Sequence, residues 1–207
     1  MPTAETLSNQ IRSFIPEDSV DIVVRWITDY KITLTITHSR QSVFGDYRWP
    51  QQNKGHRISV NGDLNSYAFL ITLVHEMAHL TAWEKFRNTV SSHGKEWKHE
   101  YKTLMDEFAG RRIFPADIRS AFKQHLVMPT HSHSIDETLM KVLRKYDKVI
   151  GNYLSDLEEG NLFEFQGRVY RKGKKLRKRF KCVEVKTHRE YLFNPIAEVK
   201  KINEILL

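Results

Sequence analysis

The spacing of hydrophobic and polar positions changes along the 207 residues, and its first part predicts two helices followed by strands. Apolar residues recur at helical spacing in residues 7–14 and again in residues 20–27. Residues 32–37 alternate in polarity and are rich in β-branched side chains, so they predict a strand with one buried face. Residues 43–48 and 56–60 predict two shorter strands, separated by a loop that contains Pro and Gly.

The middle of the chain returns to helical spacing. In residues 66–86 the apolar positions cover nearly every side of a helix, which predicts a helix buried at the centre of a domain. Residues 97–108 predict an amphipathic helix, and residues 115–126 a shorter one. The pattern therefore predicts an α+β domain made of two helices, a small antiparallel sheet and two or three further helices.

The last third of the chain changes character after residues 128–134, a polar, Pro-containing connection that is the best domain boundary. Residues 135–157 predict a helix, and residues 162–170 alternate as a strand does. Gly173 suggests a turn, after which residues 178–185 form a return strand.

We therefore divide the chain into a first domain over residues 1–127, a linker and helix over residues 128–160, and a small basic β-rich region of hairpins over residues 161–207.

Charge separates this last region from the remainder of the protein. The net charge is +8, but eleven Lys and Arg against two Glu give residues 161–189 alone +9, so everything else sums to −1. Such a cluster predicts an anion-binding surface, with nucleic acid the usual partner, although a solvated basic hairpin has the same composition. Tyr170 and Phe180 lie within it and could stack on unpaired bases. The candidate DNA-binding residues are Arg168, Arg171, Lys172, Lys174, Lys175, Arg177, Lys178, Arg179 and Lys181.

Composition narrows the cellular setting. The longest apolar run, residues 68–74, is too short to span a bilayer, and residues 1–10 lack the pattern of a secretory signal, so we expect a cytoplasmic protein without a membrane partner. Cys182 is the only cysteine, which excludes an intrachain disulfide and a Cys-rich zinc site.

The strongest chemical signal is an HExxH motif, which begins at His75 and ends at His79 within the predicted central helix. Spacing i, i+4 puts both imidazoles on one helical face, where they can bind one Zn²⁺. Glu76 lies one step round the helix and can take a proton from a zinc-bound water. Histidines that only form hydrogen bonds at the edge of a core are the simpler alternative.

A catalytic zinc usually has three protein ligands and one open position. Glu96 and Glu100 on the following helix are possible third ligands, whereas His99 is expected on the surface. His93 is the better candidate because it precedes Gly94 at the turn into that helix, where its side chain can fold back toward His75 and His79.

These two segments, 74–79 and 92–97, resemble the SprT-like family, which carries HExxH and a later His in an HGxx(F/W) context. The resemblance covers roughly residues 20–126. It implies a zincin-like metallopeptidase fold, one catalytic Zn²⁺ held by His75, His79 and His93, and Glu76 as the general base. It also implies a protein or peptide substrate, with an activity directed at proteins bound or crosslinked to DNA.

The C-terminal region departs from that family. Many members end in a zinc ribbon with four Cys or His ligands, whereas here only Cys182 and His188 are available. Two ligands do not complete a structural site, so we expect a ribbon-like region that lacks its metal. Cys182 is then expected to be a small buried hydrophobic residue.

The sequence predicts hydrolysis of a peptide bond by a Glu-activated water, with the substrate extended along the edge strand of the sheet. Tyr47, Arg48 and His56 are candidates for the group that stabilises the oxyanion, chosen only because they precede the central helix. Two other functions stay open: a non-catalytic nucleic-acid-binding protein with a structural or vestigial metal site, and a peptidase with no nucleic-acid role.

Overall fold

The computed structural model describes residues 3–40, 43–108, 110–127, 137–147 and 152–202, and the side chains of all of these except 124–127 and 137. The chain divides into two compact units, Met1–Asp147 and Lys148–Leu207. This division falls within the segment 128–160 that the sequence predicts as linker and helix. The polar connection predicted at residues 128–134 lies outside the described residues.

The first unit contains six α-helices among its described residues. Their bounds are α1 Ala4–Ile11, α2 Val20–Asp29, α3 Ser66–Phe86, α4 Lys95–Asp106, α5 Ala116–Val127 and α6 Glu137–Leu143. α3 runs through the centre of the unit. Asn65 begins it as an N-cap whose side-chain oxygen accepts from the N–H groups of Tyr67 and Ala68. Its apolar residues are buried on all sides, which is why the sequence shows no single apolar stripe.

A three-stranded sheet packs beside α3, with strands β1 Thr33–Thr37, β2 Gly45–Arg48 and β3 Arg57–Asn61. β3 lies in the middle, parallel to β1 and antiparallel to β2. The prediction of an antiparallel sheet is therefore wrong for β1. Alternation reveals which face of a strand is buried but not which strand is its neighbour. β3 takes the central place because Ile58 and Val60 are fully buried against the core.

The helix predicted over residues 135–157 is confirmed only in part, as α6, and its predicted continuation is wrong. Helical backbone stops at Leu143 and a 3₁₀ turn, Arg144–Tyr146, follows. The side-chain amide of Asn65 donates to the Leu143 carbonyl and to Asp147, while the hydroxyl of Tyr146 donates to Asp117. These contacts hold the chain against α3 and α5, so tertiary bonds end a helix whose sequence pattern continues.

The second unit is a six-stranded sheet in which every pair of neighbouring strands is antiparallel. The spatial order is β4-β9-β5-β6-β7-β8. The strands are β4 Asn152–Tyr153, β5 Leu162–Phe165, β6 Arg168–Lys175, β7 Phe180–Glu184, β8 Glu190–Phe193 and β9 Glu198–Ile202. The region therefore forms one continuous sheet rather than two isolated hairpins.

Gly173 lies inside β6 and not at a turn, contrary to the prediction. The chain reverses at residues 176–179, where the Leu176 N–H donates to the Arg179 carbonyl. A Cβ atom at Gly173 would lie 2.3 Å from the carbonyl oxygen of Lys181, beside the bulge in the β6–β7 ladder. Glycine is present here because two backbones approach closely, a role that the sequence does not distinguish from a turn.

Aromatic side chains fill the core of the second unit. Phe163 stacks on Tyr170 at 5.5 Å between ring centroids, and Phe193 meets Phe163 edge-on at 5.3 Å. Cys182 is fully buried within this core, as predicted, and burial raises the pKa of its thiol. None of the helices in the described part of the chain has the length and apolar composition that crossing a bilayer requires.

Candidate metal centre

Three imidazoles converge at one point in the first unit. His75 and His79 project from the same face of α3, and His93 reaches them from the turn before α4. The Nε2 atom of His93 lies 3.0 Å from the Nε2 atoms of both His75 and His79. The structure thus brings together the three residues that the sequence proposed as ligands, and their ligand atoms all lie within 4.8 Å of one another.

The backbone at His93 explains how a residue outside α3 reaches this point. His93 has φ 60°, a left-handed conformation that is uncommon for a residue with a side chain. Gly94 follows, and its N–H donates to the Ser91 carbonyl at 2.9 Å. A Cβ atom at Gly94 would lie 2.9 Å from that carbonyl oxygen. The His-Gly pair therefore forms a tight turn that directs the imidazole toward α3, and strain of this kind is typical of functional sites.

Trp97 forms a wall of the site, a role that the sequence analysis missed. It is buried, and its ring centroid lies 4.7, 5.4 and 4.6 Å from those of His75, His79 and His93. Tyr101 stacks on its other side at 5.0 Å. The spacing of four residues from His93 to Trp97 was the available signal. These contacts restrict the orientations of all three imidazoles before any ligand binds.

The three imidazoles could hold a metal ion, and their donor set is consistent with zinc. Three neutral imidazoles with a fourth position left to water form a donor set of catalytic zinc sites. Tetrahedral angles with Zn–N bonds of about 2.05 Å place the nitrogens roughly 3.4 Å apart. The 3.0 Å separations in the structure are close to that value.

The other candidate ligands lie elsewhere. Both carboxylate oxygens of Glu100 accept from the ammonium of Lys85, at 2.7 and 2.8 Å, in an ion pair that joins α4 to α3. Glu96 is paired with Lys95 at 3.8 Å, and His99 is exposed. Neither glutamate belongs to the cluster of potential ligand atoms.

Glu76 follows His75 on α3 and is buried, with 7% of its surface exposed. Burial, and after it the charge of Asp46, raise the pKa of its carboxyl group to about 8. The charge of Arg40 and a hydrogen bond from the backbone N–H of Tyr47 act in the opposite direction. The carboxyl group is thus a much stronger base than an ordinary glutamate, and it is held by strand β2.

Gly45 on β2 makes this contact possible and is a second residue that the sequence analysis missed. A Cβ atom there would lie 2.8 Å from Oε1 of Glu76 and 2.7 Å from Cγ2 of Thr72. Only glycine lets the strand approach α3 this closely. A glycine before a short polar strand carries no distinctive signal in the sequence.

The three candidates for oxyanion stabilisation are already engaged. The Tyr47 hydroxyl lies 3.0 Å from Nδ1 of His56, and Nε2 of His56 lies 3.0 Å from Oε1 of Glu84. Arg48 donates to Asp46 at 2.8 Å. Tyr47 contacts Glu76 through its backbone, so it belongs to the site in a different way from the one predicted.

Eight of the nine candidate DNA-binding residues in the second unit are exposed, and Lys172 is the exception. Its ammonium group donates to the Leu157 carbonyl and lies 4.0 Å from the centre of the Phe180 ring, so it is not available to a phosphate. Tyr170 and Phe180 are also buried, which corrects the expectation that they stack on bases. Both belong to the core because alternation along β6 and β7 turns them inward.

Comparison with known proteins gives one match. The model of the SprT-like family matches residues 5–119, more than half of the chain, and this range contains the three histidines and Glu76. No curated protein and no solved structure gives a match.

We expect His93→Ala to reduce bound zinc from about one equivalent to a small fraction, because two imidazoles on α3 cannot complete a three-ligand site. The measurement is elemental analysis of protein purified and dialysed against trace zinc. His99→Ala is the matched control, since it removes an exposed histidine from the same helix region. Equal zinc in wild type and His93→Ala would contradict the assignment.

The raised pKa of Glu76 predicts a pH-dependent effect on stability in metal-free protein. The folded state holds this proton up to about pH 8, whereas a free glutamate loses it near 4.5, so stability from this group is lost as pH rises through 8. Glu76→Gln does not titrate, and its stability relative to wild type should grow by about 2 kcal/mol between pH 6 and pH 8. Urea unfolding in EDTA at both values checks this, and a pH-independent difference would contradict it.

Proposed function

Because the chain belongs to the SprT-like family, we propose that it is a zinc-dependent peptidase that hydrolyses peptide bonds, with Glu76 as the general base. One observation carries the proposal: three imidazoles converge within hydrogen-bonding distance, and the residue that follows the first of them on α3 is a buried glutamate. Histidines with a merely structural role would not require a buried acidic residue in the same helical turn.

A bound zinc ion would supply Lewis acidity, which makes water a better nucleophile at neutral pH and polarises a carbonyl group. Glu76 supplies the proton transfer. In its carboxylate form Glu76 accepts a proton from the attacking water, and the resulting acid then donates it to the amine that leaves. The apolar surroundings that raise the pKa of Glu76 also keep competing water away from the carboxylate.

Strand β2 provides the place for the substrate. It is an edge strand, because β3 pairs with only one of its sides. An extended peptide could add to its free side through backbone hydrogen bonds, which recognise an unfolded segment more than a defined sequence. The substrates are therefore proteins with flexible segments.

Glu76→Gln should keep the fold and the bound zinc but lose at least about a hundredfold in cleavage rate, because it removes the base and no ligand. Cleavage of casein and of the protein itself is measured with and without single-stranded DNA, together with zinc content. Lys95→Gln is the matched control, since Lys95 is 90% exposed on α4 near the site. Equal cleavage by Glu76→Gln would show that Glu76 is not the base.

We also propose that the basic face of the second unit binds DNA through phosphates and directs the peptidase to DNA-associated proteins. The eight exposed residues are Arg168, Arg171, Lys174, Lys175, Arg177, Lys178, Arg179 and Lys181. Lys181 pairs with Glu190 at 2.7 Å, and Arg168 lies 3.9 Å from Glu184. The reversal between β6 and β7 places three further exposed charges, Arg177, Lys178 and Arg179, close together on this face.

Reversing Lys174, Lys175, Arg177 and Lys178 to Glu should weaken DNA binding at least a hundredfold on all sequences alike, with zinc content unchanged. Wild-type affinity should fall steeply with salt, because each phosphate contact releases counterions. Fluorescence anisotropy with labelled single strands from low to moderate salt measures both. Reversal of Lys200 and Lys201 on β9 is the control.

If wild type shows no salt-sensitive binding, the basic face has no role in DNA recognition, and the protein is a peptidase that acts without nucleic acid. Salt-sensitive binding without Glu76-dependent cleavage would instead favour the non-catalytic DNA-binding protein.

A further inference from the structure

The backbone of β2 has a regular alternation that leaves one N–H group free for Glu76. The Asn61 N–H donates to the Phe44 carbonyl, and the register pairs Asp46 with Ser59 and Tyr47 with Ile58. In an antiparallel ladder, alternate residues direct their N–H groups to the partner strand. Asp46 therefore bonds to β3, whereas the N–H of Tyr47 points to the free edge, close enough to the Glu76 carboxyl group to lower its pKa.

The side chain of the same residue connects β2 to α3 a second time. The Tyr47 hydroxyl lies 3.0 Å from Nδ1 of His56, and its ring stacks on the imidazole with 5.9 Å between centroids. Nε2 of His56 lies 3.0 Å from Oε1 of Glu84, two helical turns beyond Glu76 on α3. The contacts form a closed circuit from Glu76 through Tyr47, His56 and Glu84 back to the same helix.

The chemistry of the circuit assigns its protons. Burial raises the pKa of Tyr47, so its hydroxyl keeps a proton that it can donate to Nδ1. Nε2 then carries the other proton and donates to the carboxylate of Glu84. Oε1 of Glu84 also accepts from Arg87 at 3.1 Å, and the Arg87 guanidinium lies 4.0 Å over the Trp83 ring. Glu84 is thus fixed from both sides.

We propose that Tyr47, His56 and Glu84 are positioning residues that clamp β2 to α3 and thereby hold the carboxylate of Glu76 in its catalytic orientation. β2 is short and hydrogen-bonded to a strand on one side only, so its free side would otherwise fray. Gly45 permits the close approach to α3 but supplies no attraction of its own. The clamp supplies that attraction two residues later. The catalytic part of this inference rests on the proposed function.

The test uses hydrogen exchange of backbone amides in the whole chain, measured by NMR, because it reads the clamp without any assay of activity. In Tyr47→Phe the amide of residue 47 should exchange at least tenfold faster than in wild type, while the amide of Asp46 stays unchanged. Tyr67→Phe is the matched control, since it removes a hydroxyl from the other end of α3, and both amides should keep wild-type rates. Glu84→Ala should reproduce the effect of Tyr47→Phe, and Glu84→Gln, which keeps an acceptor oxygen, should restore protection.

Cleavage kinetics of the same variants measure how the loss of the clamp affects catalysis. Tyr47→Phe and Glu84→Ala should lower kcat about tenfold with KM within twofold of wild type and zinc content unchanged, because the base is displaced and no ligand is lost. Glu84→Gln should recover most of kcat.

Two results would overturn the inference. If the amide of residue 47 in Tyr47→Phe exchanges at the wild-type rate, there is no clamp. If it exchanges faster while kcat is unchanged, the clamp does not position Glu76. Absence of Glu76-dependent cleavage in wild type is a different failure, which removes the proposed function and its catalytic consequence while the exchange data still decide whether the clamp exists.

Discussion

The first unit is arranged around one constraint, the close approach of three imidazoles in which Nε2 of His93 lies 3.0 Å from Nε2 of both His75 and His79. Lone pairs at this distance repel unless a proton or a cation lies between them, so the polypeptide must hold the rings there by other contacts. The left-handed backbone at His93, the close approach at Gly94 and the indole of Trp97 supply them. The free-energy cost of these contacts is met by the packing of α3 and α4, which supports two ligands on a helix and the third on the turn that enters the next helix.

The burial of Glu76 is a second source of free-energy cost, and it also arises from the position of the site on α3. A carboxyl group on a helix that is buried on all sides loses hydration, and only the Tyr47 N–H and more distant charges compensate. Replacement by an uncharged residue would relieve this cost, so the arrangement trades stability for basicity. The trade explains why a short polar strand with a glycine lies against α3, a helix that is apolar on all sides.

Some of this arrangement is evident in the sequence, and the reasons for success and failure are physical. The i, i+4 spacing of His75 and His79 and the His-Gly pair at positions 93 and 94 depend on local geometry, which the sequence encodes directly. The parallel pairing of β1 with β3 depends on how the chain passes between them, which alternation does not record.

Lys172 is a case in which the residue type predicts the wrong environment. A lysine within a basic run predicts a solvated charge, yet alternation along β6 turns it inward to a backbone carbonyl and an aromatic ring. The next residue, Gly173, predicts a turn because of its residue type. In the structure it instead allows two strands to approach closely. In both cases the position in the pleat decides the role, and residue type alone does not.

Because Cys182 is completely buried, its reactivity can be used to monitor the opening of the second unit alone. It is the only thiol among 207 residues, and all four tryptophans lie in the first unit, so the two units carry separate intrinsic probes. A thiol reagent can react only when the sheet opens, because a buried side chain is shielded from it. The labelling rate therefore reports the opening equilibrium of the sheet, while indole emission reports the first unit in the same sample.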